Sequence, residues 1–289
     1  MTRSGMLSPV SSRRSRARLR RAVLVVGLAC LGCDTAAASD EVVDLSSAFP
    51  GFHAALVMHD VTAGRTVRYN PELARTRLSP CSTFKIPNSL IGLETGVVPD
   101  ASFTLKWDGQ RRPIEAWNRD HDLRSAIRNS VVWYYQELAR RVGEQRMRHW
   151  VKAFRYGNEN ISGGIDRFWL GSSLRISPDE QVDFLARLHA GELPVSARSV
   201  AIVKEILVQD APADGLVYRG KTGSCDGATP AESHGWWVGS VEKAGRRYVF
   251  AAVIQGEGAS GRVCRPLAEN ALRSLGVLPP AVPPTGPAR

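Results

Sequence analysis

The position of the β-rich segments along the chain constrains the fold more than any other feature. Residues 54–58 and 66–69 read as two strands around a turn at Thr62-Ala63-Gly64. Residues 218–222, 235–242 and 248–255 alternate as three more strands near the other end, the last two joined by a hairpin turn at Ala244-Gly245. Between these groups the apolar spacing becomes helical, over residues 82–94, over 122–154 with a break near Gly143, and over 178–190. Residues 266–275 read as a closing helix with Pro266 in its first turn. Strands from both ends joining one sheet predict a mixed α+β domain: a central antiparallel sheet flanked by helices, with an all-helical insertion. Pro87 would weaken the first helix unless its start is firmly packed, and Gly96 can end it. Gly157, Gly163 and Gly164 mark an irregular loop.

At 289 residues and 43% hydrophobic content the chain can bury a full core, which excludes disorder, collagen and a small disulfide scaffold. No apolar run reaches the roughly 18 residues that a membrane helix needs. The net charge of +10 suggests nucleic acid until its location is considered. Seven arginines and one acid, Asp34, fall in residues 1–38, so +6 of the +10 lies there and +4 on the rest. The arginines precede an apolar run at residues 22–31 and then Ala36-Ala37-Ala38, the layout of a secretory signal rather than a nucleic-acid arm. The expected layout is a signal peptide over 1–38, a folded domain over 39–278, and a disordered tail over 279–289 with five prolines. Lipid anchoring at Cys33 is the weaker reading, because Cys30 stands where a branched apolar residue is usual. Cleavage after Ala38 leaves Cys81, Cys225 and Cys264, enough for one disulfide and one spare thiol. The six histidines show no zinc-binding spacing, and no phosphate-cradling glycine loop occurs, so no metal site is expected.

Ser82-Thr83-Phe84-Lys85 places a hydroxyl and an amine on one side of a helix start, where the helix dipole favours developing negative charge. A serine needs a neighbouring base to become a nucleophile, and a lysine can be that base only if burial keeps it uncharged. Alone, S-x-x-K occurs by chance in most chains of this length. It is followed 48 residues later by Ser130-Val131-Val132, in an aromatic helical stretch, and 91 residues after that by Lys221-Thr222-Gly223 on a strand. Each fragment alone is an ordinary core or edge element. Together and in that order they are the set of penicillin-recognising serine enzymes.

With Tyr156-Gly157-Asn158, Phe168-Trp169-Leu170 and Gly235-Trp236-Trp237-Val238-Gly239 added, the chain resembles the class D (oxacillinase-type) serine β-lactamases from about residue 45 to 279. Class A fits worse, because valines follow Ser130 and no E-x-x-L-N precedes Lys221-Thr222-Gly223. The resemblance implies the penicillin-recognising serine enzyme fold and β-lactam antibiotics as substrates. It assigns Ser82 as nucleophile and Lys85 as general base, carbamylated to N6-carboxylysine by carbon dioxide or bicarbonate, with no other cofactor. Ser130 would pass a proton to the departing nitrogen, helped by Lys221. Trp169 would hold the carbamate and Val132 pack over it. Backbone N–H groups of Ser82 and Ser224 would form the oxyanion hole. Thr222 and an arginine would bind the substrate carboxylate; Arg262 and Arg265 both lie in the right stretch, and the spacing to the closing helix favours Arg265. Cys81 stands where the family more often has Ala. Cys225 and Cys264 each adjoin a motif, and a disulfide between them is the expectation. The resemblance also implies a periplasmic enzyme, monomer or homodimer, with neither nucleic acid nor membrane span. Two other uses of the fold are an antibiotic-sensing receptor domain and a penicillin-binding transpeptidase or carboxypeptidase; both acylate but barely turn over.

Overall fold

The computed structural model describes residues 40–210 and 215–281. The expected signal peptide, Cys30 and Cys33, and residues 282–289 of the expected tail lie outside the described residues. The chain opens with β1 (Asp40–Val42), β2 (His53–Asp60), β3 (Arg65–Tyr69) and the short α1 (Pro71–Arg75). The helical section follows: α2 (Lys85–Glu94), α3 (Leu123–Arg128), α4 (Val132–Val142), α5 (Glu144–Ala153), α6 (Pro178–Ala190) and α7 (Ala197–Ile206). Strands β4 (Leu216–Cys225), β5 (His234–Lys243) and β6 (Arg246–Gln255) and helix α8 (Gly261–Ser274) close it. The sheet order is β1-β3-β2-β6-β5-β4. All pairings are antiparallel except the short parallel contact of β1 with β3.

The mixed architecture expected from strand position is therefore present. The central strands β2, β5 and β6 are buried on both faces and read as near-continuous apolar runs, while β4 forms an edge. One face carries a core with α2, α4 and α6, through Leu90, Tyr135, Leu138 and Phe184. The other carries a second core with α8, through Trp237, Phe250, Ala268 and Leu272.

Three local expectations change. The helix expected from residue 82 begins as a 3-10 turn, Cys81–Phe84, and becomes α-helical only at Lys85. Pro87 then falls in the first α-turn, where its missing N–H costs little. The closing helix starts five residues earlier than Pro266, because Ser260 caps it by accepting from Val263 N. Ser130 does not sit within a helix; it occupies the break between α3 and α4 with φ of +53°. That left-handed residue ends α3 and redirects the chain.

Candidate active site

The nucleophile turn is fixed from three sides. Thr83 Oγ1 donates to Pro80 O at 2.8 Å and accepts from Gln181 Nε2 at 2.8 Å, while Tyr156 OH donates to Gln181 Oε1. Ser79 O accepts from Trp236 Nε1 and from His234 Nε2, each at 2.9 Å. Ser79 Oγ donates to Trp169 O and accepts from Gly171 N. The turn thus rests on β5, on α6 and on the loop that bears Trp169. That loop is tied by Asn158, which accepts from Arg175 N and donates to Ser173 O. A Cβ on Gly157, at φ of +57°, would collide with Arg175 O, so glycine is required there.

In the 3-10 turn, residues three apart eclipse one another, which brings Lys85 over Ser82. Lys85 Nζ lies 2.7 Å from Ser82 Oγ. Lys85 is wholly buried, and no carboxylate pairs with it among the described residues. Burial, and secondarily the charge of Lys221, hold its ammonium well below the ordinary lysine value. Burial thus favours the neutral amine, the form that adds carbon dioxide. Trp169 Nε1 is buried without a hydrogen-bond partner, a donor that a carbamate oxygen would satisfy. A buried neutral amine and an orphaned N–H on an adjoining loop fit a carbamate. Trp169 stacks on Phe84, immediately before Lys85, with centroids 5.5 Å apart. Val132 is half-buried at the first position of α4.

Lys221 Nζ donates to Ser130 Oγ at 3.0 Å and to Thr222 O at 2.9 Å. Burial pushes its pKa down to about 7. Trp117 Nε1 donates to Asn129 O and Trp133 Nε1 to Trp117 O, bracing the break that carries Ser130.

Strand parity places the backbone donor of Ser224. Gly220 N donates outward to Leu207 O, and Gln209 N donates to Tyr218 O, so even-numbered residues of β4 direct their N–H and C=O away from β5. Thr222 and Ser224 share that parity. Past Gly220 the edge has no strand partner among the described residues, so the Ser224 N–H has no backbone acceptor there. The Ser224 side chain is occupied elsewhere, accepting from Gly261 N.

Lys221, Thr222 and Arg265 line one cavity of about 350 Å³; Arg262 is exposed and does not reach it. Arg265 lies over the Trp237 ring at 4.7 Å, with Nε on Glu269 and a terminal nitrogen on Gln209 Oε1. Arg124 and Arg128, one turn apart on α3, line the same cavity, and sequence reasoning missed them. Their helical spacing just before Ser130 was the available signal.

The expected Cys225–Cys264 disulfide is not formed. Cys81 is bonded to Cys225, and Cys264 is a buried free thiol. The reason is again parity. Odd residues of β4 face the nucleophile turn, as Lys221 and Gly223 do, whereas Cys264 lies on α8 across the sheet, its thiol against Ala252 O. His234, paired with Cys225 in register, brings Cys81, Cys225 and His234 within 4.8 Å of one another. With the two sulfurs joined, these three are not free to ligate a metal.

Comparison with known proteins gives the family and the fold. The penicillin binding protein transpeptidase domain matches residues 54–273. The chain is 44% identical over 206 residues to a probable β-lactamase, YbxI, of Bacillus subtilis (strain 168), covering 71% of this chain and 76% of that one. Among solved structures, a class D β-lactamase from Bacillus subtilis is 40% identical with a TM-score of 0.76, over 81% of this chain and 96% of that chain. The C-terminal domain of the Bacillus licheniformis BlaR penicillin-receptor is 33% identical with a TM-score of 0.80, over 84% and 99%.

Proposed function

Because the chain belongs to the class D serine β-lactamase family, we propose that it hydrolyses β-lactam antibiotics through an acyl-enzyme on Ser82, with carbamylated Lys85 as general base. The observation that carries this reading is the contact of Lys85 Nζ with Ser82 Oγ at 2.7 Å, made by a fully buried lysine without a carboxylate partner.

Ser82 Oγ attacks the lactam carbonyl as its proton passes to the base on Lys85. The carbonyl π electrons move to oxygen, and N–H groups of Ser82 and Ser224 stabilise that oxyanion, each such donor typically contributing about 10²–10³ in rate. Collapse breaks the C–N bond, and the departing nitrogen takes a proton from Ser130 Oγ, which Lys221 Nζ supports from 3.0 Å and which recovers a proton from the protonated base on Lys85. Water then attacks the ester, giving its proton to the freed base on Lys85, which returns it to Ser82 Oγ as the ester C–O bond breaks. Carbon dioxide, once added to the Lys85 amine with loss of a proton, supplies a carboxylate-like base that persists where the bare amine would be a weak acceptor. Trp169 N–H holds it and Val132 packs over it. Thr222 and Arg265 take the substrate carboxylate, with Arg265 held in place by Glu269 and Gln209.

The basic and apolar leader supports export to the periplasm. No helix among the described residues is long and apolar enough to cross a membrane.

The deciding experiment is hydrolysis of a chromogenic cephalosporin by purified protein, with and without bicarbonate. Sustained turnover raised by bicarbonate is expected. A burst that stops at one equivalent would instead assign a penicillin-sensing or penicillin-binding role, the reading that likeness to the BlaR domain favours.

A further inference from the structure

The residue before the nucleophile and the residue after the second oxyanion donor are covalently joined. Cys81 precedes Ser82, Cys225 follows Ser224, and their Cα atoms are 5.9 Å apart in the disulfide. Among the described residues no backbone hydrogen bond joins residues 80–84 to β4, although the two are in close contact. A Cβ on Gly223 would stand 2.9 Å from Pro80 O and 3.1 Å from Thr83 Cγ2. Other anchors of the turn go to β5, α6 and the Trp169 loop. Cys81 is also left-handed, with φ of +45°, a conformation unfavourable for a residue with a Cβ. The backbone torsions of Cys81, this φ among them, set the direction in which the next N–H, that of Ser82, points.

We propose that the Cys81–Cys225 disulfide is a positioning element of the oxyanion hole, fixing the separation and aim of the Ser82 and Ser224 N–H groups. This rests on the acyl-enzyme reading above. Donors act on the transition state only where they are held at hydrogen-bonding distance from the oxygen as charge develops. Misplacement by about 1 Å can cost on the order of 10²-fold in rate. The turn keeps its anchors to β5, α6 and the Trp169 loop without the bridge, so the bridge refines its geometry. Cys81→Ala/Cys225→Ala is therefore expected to fold and to keep substrate affinity.

The bridge also closes a loop of 144 residues and so stabilises the fold. Two readouts separate that role from positioning. The first is kcat and KM for native enzyme, for enzyme reduced with dithiothreitol, and for Cys81→Ala/Cys225→Ala, all at a temperature where circular dichroism finds each fully folded. The second is the infrared stretch of the Ser82 ester formed with a slowly hydrolysed penicillin carrying ¹³C at its lactam carbonyl. Without the bridge, kcat is expected to fall roughly tenfold with KM within about twofold. The ester carbonyl is expected to move to higher wavenumber, because its oxygen is less polarised. Reoxidation should restore both in reduced enzyme.

A lower melting temperature with unchanged kcat and carbonyl stretch would overturn the proposal and leave a structural staple. Two free thiols holding zinc with His234 in native protein would also overturn it. An ester band that forms in neither protein would remove the acyl-enzyme reading itself, and the positioning role with it.

Discussion

The β4–β5 ribbon presents two faces with opposite character. Toward the turn that bears Ser82 it meets buried Ser79 and Thr83, behind which lie buried Lys85 and Gln181, and it contributes Lys221 and His234 of its own. Toward α8 it meets Leu45, Phe49, Ala268 and Leu272 in a largely apolar layer, whose polar atoms are the thiol of Cys264 and the hydrogen-bonded Tyr218 OH and Trp237 Nε1. Polar groups without water are costly to bury and are kept where they are used. The first face therefore carries most of the proposed chemistry at a cost in stability, and the second, Arg265 apart, is packing that offsets it. Substitutions on the first should change turnover more than folding, and substitutions on the second the reverse.

The largest expected effect is on the first face. Lys85→Ala should lower steady-state hydrolysis by about 10²–10⁴-fold and leave acyl-enzyme visible by intact-protein mass spectrometry. Turnover equal to wild type would remove Lys85 as the base. In the wild-type enzyme, activity should fall at acid pH as the carbamate is lost, and added bicarbonate should recover it. Progress curves at pH 5 and 7 read this directly.

On the second face, Leu272→Ala should cost about 2–5 kcal/mol in denaturant unfolding, since Leu272 is fully buried, with kcat within about twofold of wild type. A kcat loss larger than the stability loss explains would break the division between the faces.

A smaller effect concerns the pH dependence of stability. Lys221 has a folded pKa near 7 and an ordinary value when unfolded. Between those values the unfolded chain binds more protons, so stability should rise as pH goes from about 7 to 10. Lys85, before carbamylation, is shifted in the same direction. Lys221→Met should therefore flatten that rise without abolishing it, as urea midpoints at pH 7 and 9 would show. A stability that falls over this range would contradict the burial of both amines in neutral form.

The smallest effect is at Cys264. Cys264→Ala should change stability by roughly 1 kcal/mol and leave turnover unaltered. Alkylation of residues 39–289 after denaturation without reduction should label one thiol, and in the Cys264→Ala form none. Two labelled thiols in the variant would mean that Cys81 and Cys225 are not bonded.

Much of this division was legible in the sequence. Alternation fixed the strands, and the order of Ser82, Lys85, Ser130 and Lys221 pointed to one chemistry. What escaped was geometry that depends on a single residue. Ser130 looked helical because its neighbours Trp133, Tyr134 and Tyr135 have helical spacing, yet one left-handed φ sets it apart. The disulfide was misjudged because Cys225 and Cys264 both adjoin motifs. Counting by twos from Lys221, which must reach Ser130, would have placed Cys225 on the nucleophile's face and excluded Cys264. Arg124 and Arg128 were passed over because no motif contains them, and only the fold brings α3 beside β4.

The open half of β4 has one more consequence. Leu207 and Gln209 cap this strand as far as Gly220, and beyond that Thr222 and Ser224 have no backbone partner along the rim of the sheet among the described residues. An uncapped strand rim is a template for any extended chain, including another copy of this one. Covering it would remove the aggregation hazard and the substrate site together. Such an enzyme must stay sticky along a few residues in order to work, so its solubility and its catalysis are set by the same short stretch of backbone.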